Sequence, residues 1–267
     1  MSNREIKKMM NGALLLTAAS FIAKLLSAVY RVPFQNLVGN TGFYAYQQVY
    51  PLYGLGMTLA LSGLPVFLSK VIAESSSISV QKKTAGRLSA LLGIMAVLLF
   101  LLLYFGANFI GEQMGDQKLK PIIQMVSWQF LFIPFLAVSR GFFQGRFQMT
   151  PTAVSQVVEQ VVRVAVILSV AYLYTTGVGT VYRMASSAMS SAWIAAIAAS
   201  AVMIFSLFLS NKREKKTACE EDAIPSYKLL LKRLGTEGLT ICLLSAVLII
   251  FQLIDSFTLY KGLIESG

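Results

Sequence analysis

Seven runs of about twenty or more apolar residues divide this chain, over residues 11–30, 43–72, 88–110, 122–143, 152–174, 184–209 and 239–260. A helix rises about 1.5 Å per residue, so twenty residues cross the roughly 30 Å hydrocarbon core of a bilayer. Inside lipid every backbone donor and acceptor needs a partner in the protein, which makes the helix the spanning form for runs like these. The expected fold class is therefore an all-α integral membrane protein. Charged residues make up 13% of the chain and the mean hydropathy is +0.66, where a soluble domain carries roughly a quarter charged residues.

The net charge of +11 would suit a nucleic-acid partner if the cations were clustered on one face. They are instead sorted by loop. With the N-terminus placed in the cytoplasm, sixteen Lys and Arg fall inside and five outside. The inside set includes Arg4, Lys7, Lys8, Lys70, Lys82, Lys83, Arg87, Arg140, Arg146 and the basic stretch from Lys212 to Arg233. The outside set is Arg31, Lys118, Lys120, Arg183 and Lys261, and Lys24 and Arg163 lie within spans. This asymmetry is the pattern of cytoplasmic loops. The basic excess is topological, and no nucleic acid is expected as a partner. The N-terminus has the cations and the apolar stretch of a signal peptide, but its apolar run continues to Tyr30 and six more follow, so an uncleaved first helix is expected. Cys219 falls in a polar loop and Cys242 in the last span, so no disulfide is expected. With no histidine and two separated cysteines, neither a metal site nor another cofactor is expected.

Residues 140–163 carry the most information about function. Arg140-Gly-Phe-Phe-Gln-Gly reads as a basic turn broken by glycine, leading into a long apolar helix. That helix bears Thr152, Gln156, Glu159, Gln160 and Arg163, whose spacings put them on one face. A carboxylate and a guanidinium facing lipid each cost several kcal/mol, so this face is expected toward the protein interior. Two readings follow. Glu159 and Arg163, at i and i+4, form a buried ion pair that locks helix packing. Alternatively, the stripe lines a wet cavity and faces Lys24.

Lys24 and Arg31 share a face of the first span with Thr17, Ser20 and Ser27. Lys24 lies near mid-span, where a lysine either faces a cavity or reaches a carbonyl or a neighbouring Glu. Arg31 either continues that face or snorkels to the surface. The turn around Gly39 is expected to end a first helical hairpin, and Pro51 and Pro65 to bend the second helix. Gly54, Gly56 and Gly63 would allow close approach of a neighbour. The third span is featureless and is expected to face lipid, and Pro134 is expected to kink the fourth. Residues 211–227 form the one long polar segment. The expected organisation is a six-helix lobe over 1–210, a cytoplasmic linker over 211–227, and an amphipathic segment with a seventh helix over 228–267. Asp255, beside Gln252 and Ser256 on the seventh helix, is either a site carboxylate or a solvated surface group.

The stretches Arg140-Gly-Phe-Phe-Gln-Gly, Met149-Thr-Pro-Thr-Ala-Val-Ser-Gln156 and Val158-Glu-Gln-Val-Val-Arg163 resemble the flippases of the multidrug/oligosaccharidyl-lipid/polysaccharide exporter superfamily. The branch resembled is the one with stage V sporulation protein B and the MurJ-type lipid II flippases. Ala23-Lys-Leu-Leu-Ser27 and Gly63-Leu-Pro-Val-Phe-Leu-Ser-Lys70 support the likeness. The resemblance implies two six-helix lobes around a cavity opened alternately to either side. It also implies an undecaprenyl-pyrophosphate-linked oligosaccharide or peptidoglycan precursor as substrate. Lys24 matches a basic position of the family's first helix; for Arg31 the corresponding cation falls one residue earlier, at Tyr30. The substrate-facing residues expected on both grounds are Lys24, Arg31, Gln156, Glu159, Gln160, Arg163 and Asp255. Lipid-linked sugar and membrane lipids are the implied partners, with room for a coupling ion. The family's usual twelve to fourteen helices imply that this chain is truncated, holding the first lobe and the seventh helix. A drug or cation antiporter would want dominant cavity carboxylates, and a membrane enzyme would want clustered acids or a histidine in a substantial loop. A truncated chain that transports nothing is the remaining alternative.

Overall fold

The computed structural model describes residues 3–75, 77–177, 179–213 and 224–266, with side-chain surroundings between residues 10 and 258. The polar linker from 214 to 223, with Cys219, lies outside the described residues. Helix α1 (Asn3–Val29) leads into α2 (Arg31–Thr58), a π turn (Leu59–Gly63) and α3 (Leu64–Ala73). Helix α4 (Ile78–Gln113) is followed by α5 (Lys120–Ser127), a 3-10 turn (Trp128–Phe132) and α6 (Ile133–Gly145). Helices α7 (Met149–Thr175), α8 (Val181–Met189) and α9 (Ser191–Arg213) follow. After the linker come α10 (Tyr227–Arg233), a second π turn (Leu234–Gly238) and α11 (Leu239–Ser266).

Among the described residues six helical stretches are long and apolar enough to cross a membrane, so the chain is an all-α, multi-pass membrane protein. The first stretch, Met10–Ala73, holds 64 residues, which as one straight helix would measure roughly 96 Å. It does not run straight. Gly39 has φ 70° and ψ 179°, a conformation essentially reserved for glycine. Across that residue the hydroxyls of Tyr30 and Tyr46 come to 3.5 Å, where a straight helix would hold those positions about 24 Å apart. The two spans expected before residue 73 are therefore both present, folded against each other at the expected turn.

Helix α4 shows why a featureless span faces lipid. Ile94, Leu98, Leu102, Phe105 and Phe109 form one exposed stripe, while Leu88, Leu92, Ala96, Leu103 and Ala107 are buried on another face. In a bilayer the exposed stripe contacts acyl chains at no solvation cost. In the second span the irregularity is the π turn at Leu59–Gly63, and Pro65 sits in the first turn of α3, where its missing N–H is harmless. In the fourth span the 3-10 turn immediately precedes Pro134. From Tyr227 to Thr258 the chain is one continuous helical stretch, with the second π turn inside it.

One local expectation is overturned. Residues 140–145 are not a turn but the last turns of α6, and the chain reverses at Arg146–Gln148, where Phe147 has φ 56°. The glycines serve packing. A Cβ on Gly141 would come 2.5 Å from Leu68 Cβ, and one on Gly145 2.6 Å from the Ser69 carbonyl oxygen. Glycines at i and i+4 make a flat strip that lets α3 lie directly on α6.

Candidate functional site

Helix α7 buries Thr152, Ser155, Gln156, Glu159, Gln160 and Arg163 inside the bundle. The spacing that puts them on one face also splits them between two neighbours. Thr152, Ser155 and Glu159 turn toward α6, and Gln156, Gln160 and Arg163 toward α1 and α2.

The first half is organised by Arg140, which is fully buried and not a loop cation. Its Nη2 donates to Glu159 Oε2 at 2.6 Å, its Nε to Ser155 Oγ at 3.1 Å and its Nη1 to the Ala60 carbonyl at 3.1 Å. Ala60 lies in the π turn, where the widened helix leaves a carbonyl to be satisfied from outside. The Ser155 hydroxyl in turn donates to the Thr152 carbonyl at 2.8 Å. The expected pairing of Glu159 with Arg163 is therefore corrected: the carboxylate is taken by Arg140, nineteen residues away in sequence. Among the described residues Glu159 makes its ion pair with Arg140 and none with Lys24.

The second half is a guanidinium boxed by rings. The carbon of the Arg163 guanidinium lies 4.6 Å from the Tyr53 ring centre and 5.2 Å from that of Tyr30. Its Nε donates to Gln160 Oε1 at 3.1 Å and its Nη2 to Ser27 Oγ at 2.9 Å. Ser27 donates to the same Gln160 oxygen at 2.9 Å, and Ser20 donates to Gln156 Oε1 at 3.3 Å. Stacking on electron-rich ring faces stabilises a buried cation that has no carboxylate. The two glutamines thus tie α1 to α7 at successive turns.

The remaining expected residues are not brought into this seam. Lys24 lies between Ser20 and Ser27 on α1 with its side chain exposed. Arg31 is half-buried, with its guanidinium 5.0 Å above the Tyr50 ring. Asp255 is exposed on α11 and lines a separate cleft. Counting Lys24, Arg140 and Arg163 against Glu159 leaves two positive charges in this region. Sequence reading missed Arg140, Ser155, Tyr30 and Tyr53 as members of the seam. The signal available for Arg140 was the i, i+4 glycine spacing that follows it, which fits a helix better than a turn.

The described residues thus form a helical membrane bundle with an ionic seam on one buried helix face and an exposed amine on the helix packed against it. The chain belongs to the polysaccharide biosynthesis protein family, which it matches over residues 9–267. It is 41% identical over 257 residues to the Bacillus subtilis membrane protein YabM, covering 96% of this chain and 48% of that protein. It is 29% identical over 277 residues to the lipid II flippase MurJ of the same organism, covering 97% of this chain and 51% of that one. It is 32% identical over 214 residues to stage V sporulation protein B of Bacillus subtilis, covering 77% and 40%. The chain thus spans about half the length of the curated relatives it matches or less. No solved structure matches it.

Proposed function

We propose that this chain forms part of a membrane flippase that moves an undecaprenyl-pyrophosphate-linked oligosaccharide or peptidoglycan precursor by alternating access. The N-terminus is cytoplasmic in this reading, which the lysine and arginine asymmetry supports. The reading is transport and not catalysis, and the similarity to the lipid II flippase MurJ supports that choice. The observation that carries the substrate chemistry is Lys24: an exposed ammonium near mid-span, flanked by two serines that are bonded into α7. A bare amine at that depth is costly unless it meets an anion. Gln156, Gln160 and Arg163 fix the helix that presents it, and the two unneutralised cations favour a pyrophosphate over a cationic drug.

Binding of undecaprenyl pyrophosphate to the chain in nanodiscs tests this reading. Lys24→Ala should weaken binding about tenfold or more, the loss of one charge-assisted contact. Lys24→Arg should keep most of it. Equal affinity of Lys24→Ala and the unaltered chain would remove Lys24 from the binding site.

A further inference from the structure

A second polar site lies apart from the ionic seam. Between α2 and α11 the structure has an open cleft of about 520 Å³, within the roughly 300–1,000 Å³ typical of small-ligand sites. Its two walls are joined by a hydrogen bond from Gln48 Nε2 to the Ser256 carbonyl at 2.6 Å. The cleft is lined by five side-chain amides, one carboxylate, one serine hydroxyl and three aromatic rings, two of them tyrosines, with no Lys, Arg or His among the lining residues. Gln47, Gln252, Asp255, Tyr44 and Tyr50 are the members that matter here.

Each ligand class meets these groups differently. A phosphate would meet the Asp255 carboxylate, and the one cation noted beside the cleft, Arg31, lies outside its lining with its guanidinium over the Tyr50 ring. A metal ion would find one carboxylate, and neutral amide oxygens for the rest. An acyl chain would cover the Gln47 and Gln252 amides and the Asp255 carboxylate with nothing to bond to them. A sugar fits: hydroxyls both donate to and accept from amides and carboxylates, and the apolar faces of pyranose rings lie on aromatic side chains. Two buried atoms have no partner among the described residues and flank this space. Gln47 Oε1 is an unfilled acceptor on the cleft wall. Arg31 Nε is an unfilled donor, on a guanidinium that lies over the cleft's Tyr50.

We propose that this cleft is a carbohydrate subsite that takes the neutral glycan portion of a lipid-linked substrate, with Asp255, Gln252 and Gln47 bonding to hydroxyls. The proposal rests on the reading of Lys24 as the pyrophosphate-holding group. Arg31 follows Lys24 by seven residues, about 10 Å along the helix, so head group and sugar would be read at neighbouring stations of one path.

The test uses the chain in nanodiscs and three probes: undecaprenyl pyrophosphate without sugar, the same lipid carrying a disaccharide, and the free methyl glycoside of that disaccharide. The disaccharide-bearing lipid should bind about tenfold tighter than the sugar-free lipid, one good pair of polar contacts. In Gln252→Ala and in Asp255→Asn, both at exposed positions, its affinity should fall to that of the sugar-free lipid. Free glycoside should show saturation-transfer signals that the two variants lose. Equal binding of the two lipids by the unaltered chain overturns the subsite, as does a variant that weakens both lipids alike. If neither lipid binds, the flippase reading fails, and the glycoside decides the cleft by itself: a signal lost in the variants supports it, and no signal overturns it.

Discussion

Arg140 and Glu159 are each tolerable in the lobe only because the other is there. Removing one partner of a buried pair leaves an uncompensated charge, at a cost of about 3–5 kcal/mol, while replacing both with apolar residues of like volume is often close to neutral. Arg140→Met and Glu159→Leu singly should each lower thermal stability in detergent strongly, and the double variant should recover much of the loss. The same measurement separates the pairing seen from the pairing that spacing suggests. Arg140 and Glu159 should couple by about 0.5–3 kcal/mol, while Glu159 and Arg163 should couple more weakly. Sequence spacing identified every polar residue of α7 that is buried except Ser155, because helical periodicity depends on that helix alone. It misassigned the partner of Glu159 because i, i+4 proximity is a local property, whereas the choice of Arg140 is decided by how α6 meets α7. Arg163 shows the same limit: its environment of Tyr30 and Tyr53 comes from two other stretches of chain.

The elements were legible to different degrees for a similar reason. Helix α4 contributes a lipid-facing stripe that any apolar helix would show, and its sequence suffices to predict it. Gly141 and Gly145 are ambiguous in one dimension, since glycine marks both turns and close helix contacts, and only the position of α3 decides. Gly145→Ala should therefore cost about 1–3 kcal/mol through overpacking against the Ser69 carbonyl. Gly93→Ala on α4, where an added Cβ meets nothing within 4 Å, should instead be neutral or gain about 0.5–1 kcal/mol of helix propensity. Parallel melting curves of the two variants check this, and equal destabilisation would remove the packing role from Gly145. The continuous helix from Tyr227 to Thr258 shows why the join between amphipathic segment and spanning helix was hard to read: Leu234–Gly238 contains two glycines and polar residues, yet it stays helical as a π turn.

At the scale of the whole molecule, the proposed orientation rests on charge sorting and is open to direct measurement. In a Cys219→Ser background, Lys118→Cys should label from outside intact cells with a membrane-impermeant maleimide, and Lys83→Cys only after the membrane is opened. Reversal of that pattern would invert the proposed topology. The reversal at Gly39 has a further consequence, which belongs to the birth of the protein and not to its finished form. As the chain leaves the ribosome, the insertion machinery meets two apolar runs, 11–30 and 43–72, parted only by the short stretch 31–42, in which one glycine-only backbone conformation marks the turn. Gly39 is that punctuation mark. A β-branched residue there resists the glycine-only backbone and favours continuing the helix, so some chains should thread the first span and carry the rest in the wrong sense. Gly39→Val should then yield a mixed population of orientations, visible as partial protease protection of a tag placed in the 74–77 loop. A single, unchanged orientation would mean that the turn is imposed later, by the packing of Tyr30 against Tyr46, and that nascent-chain topology does not depend on this glycine.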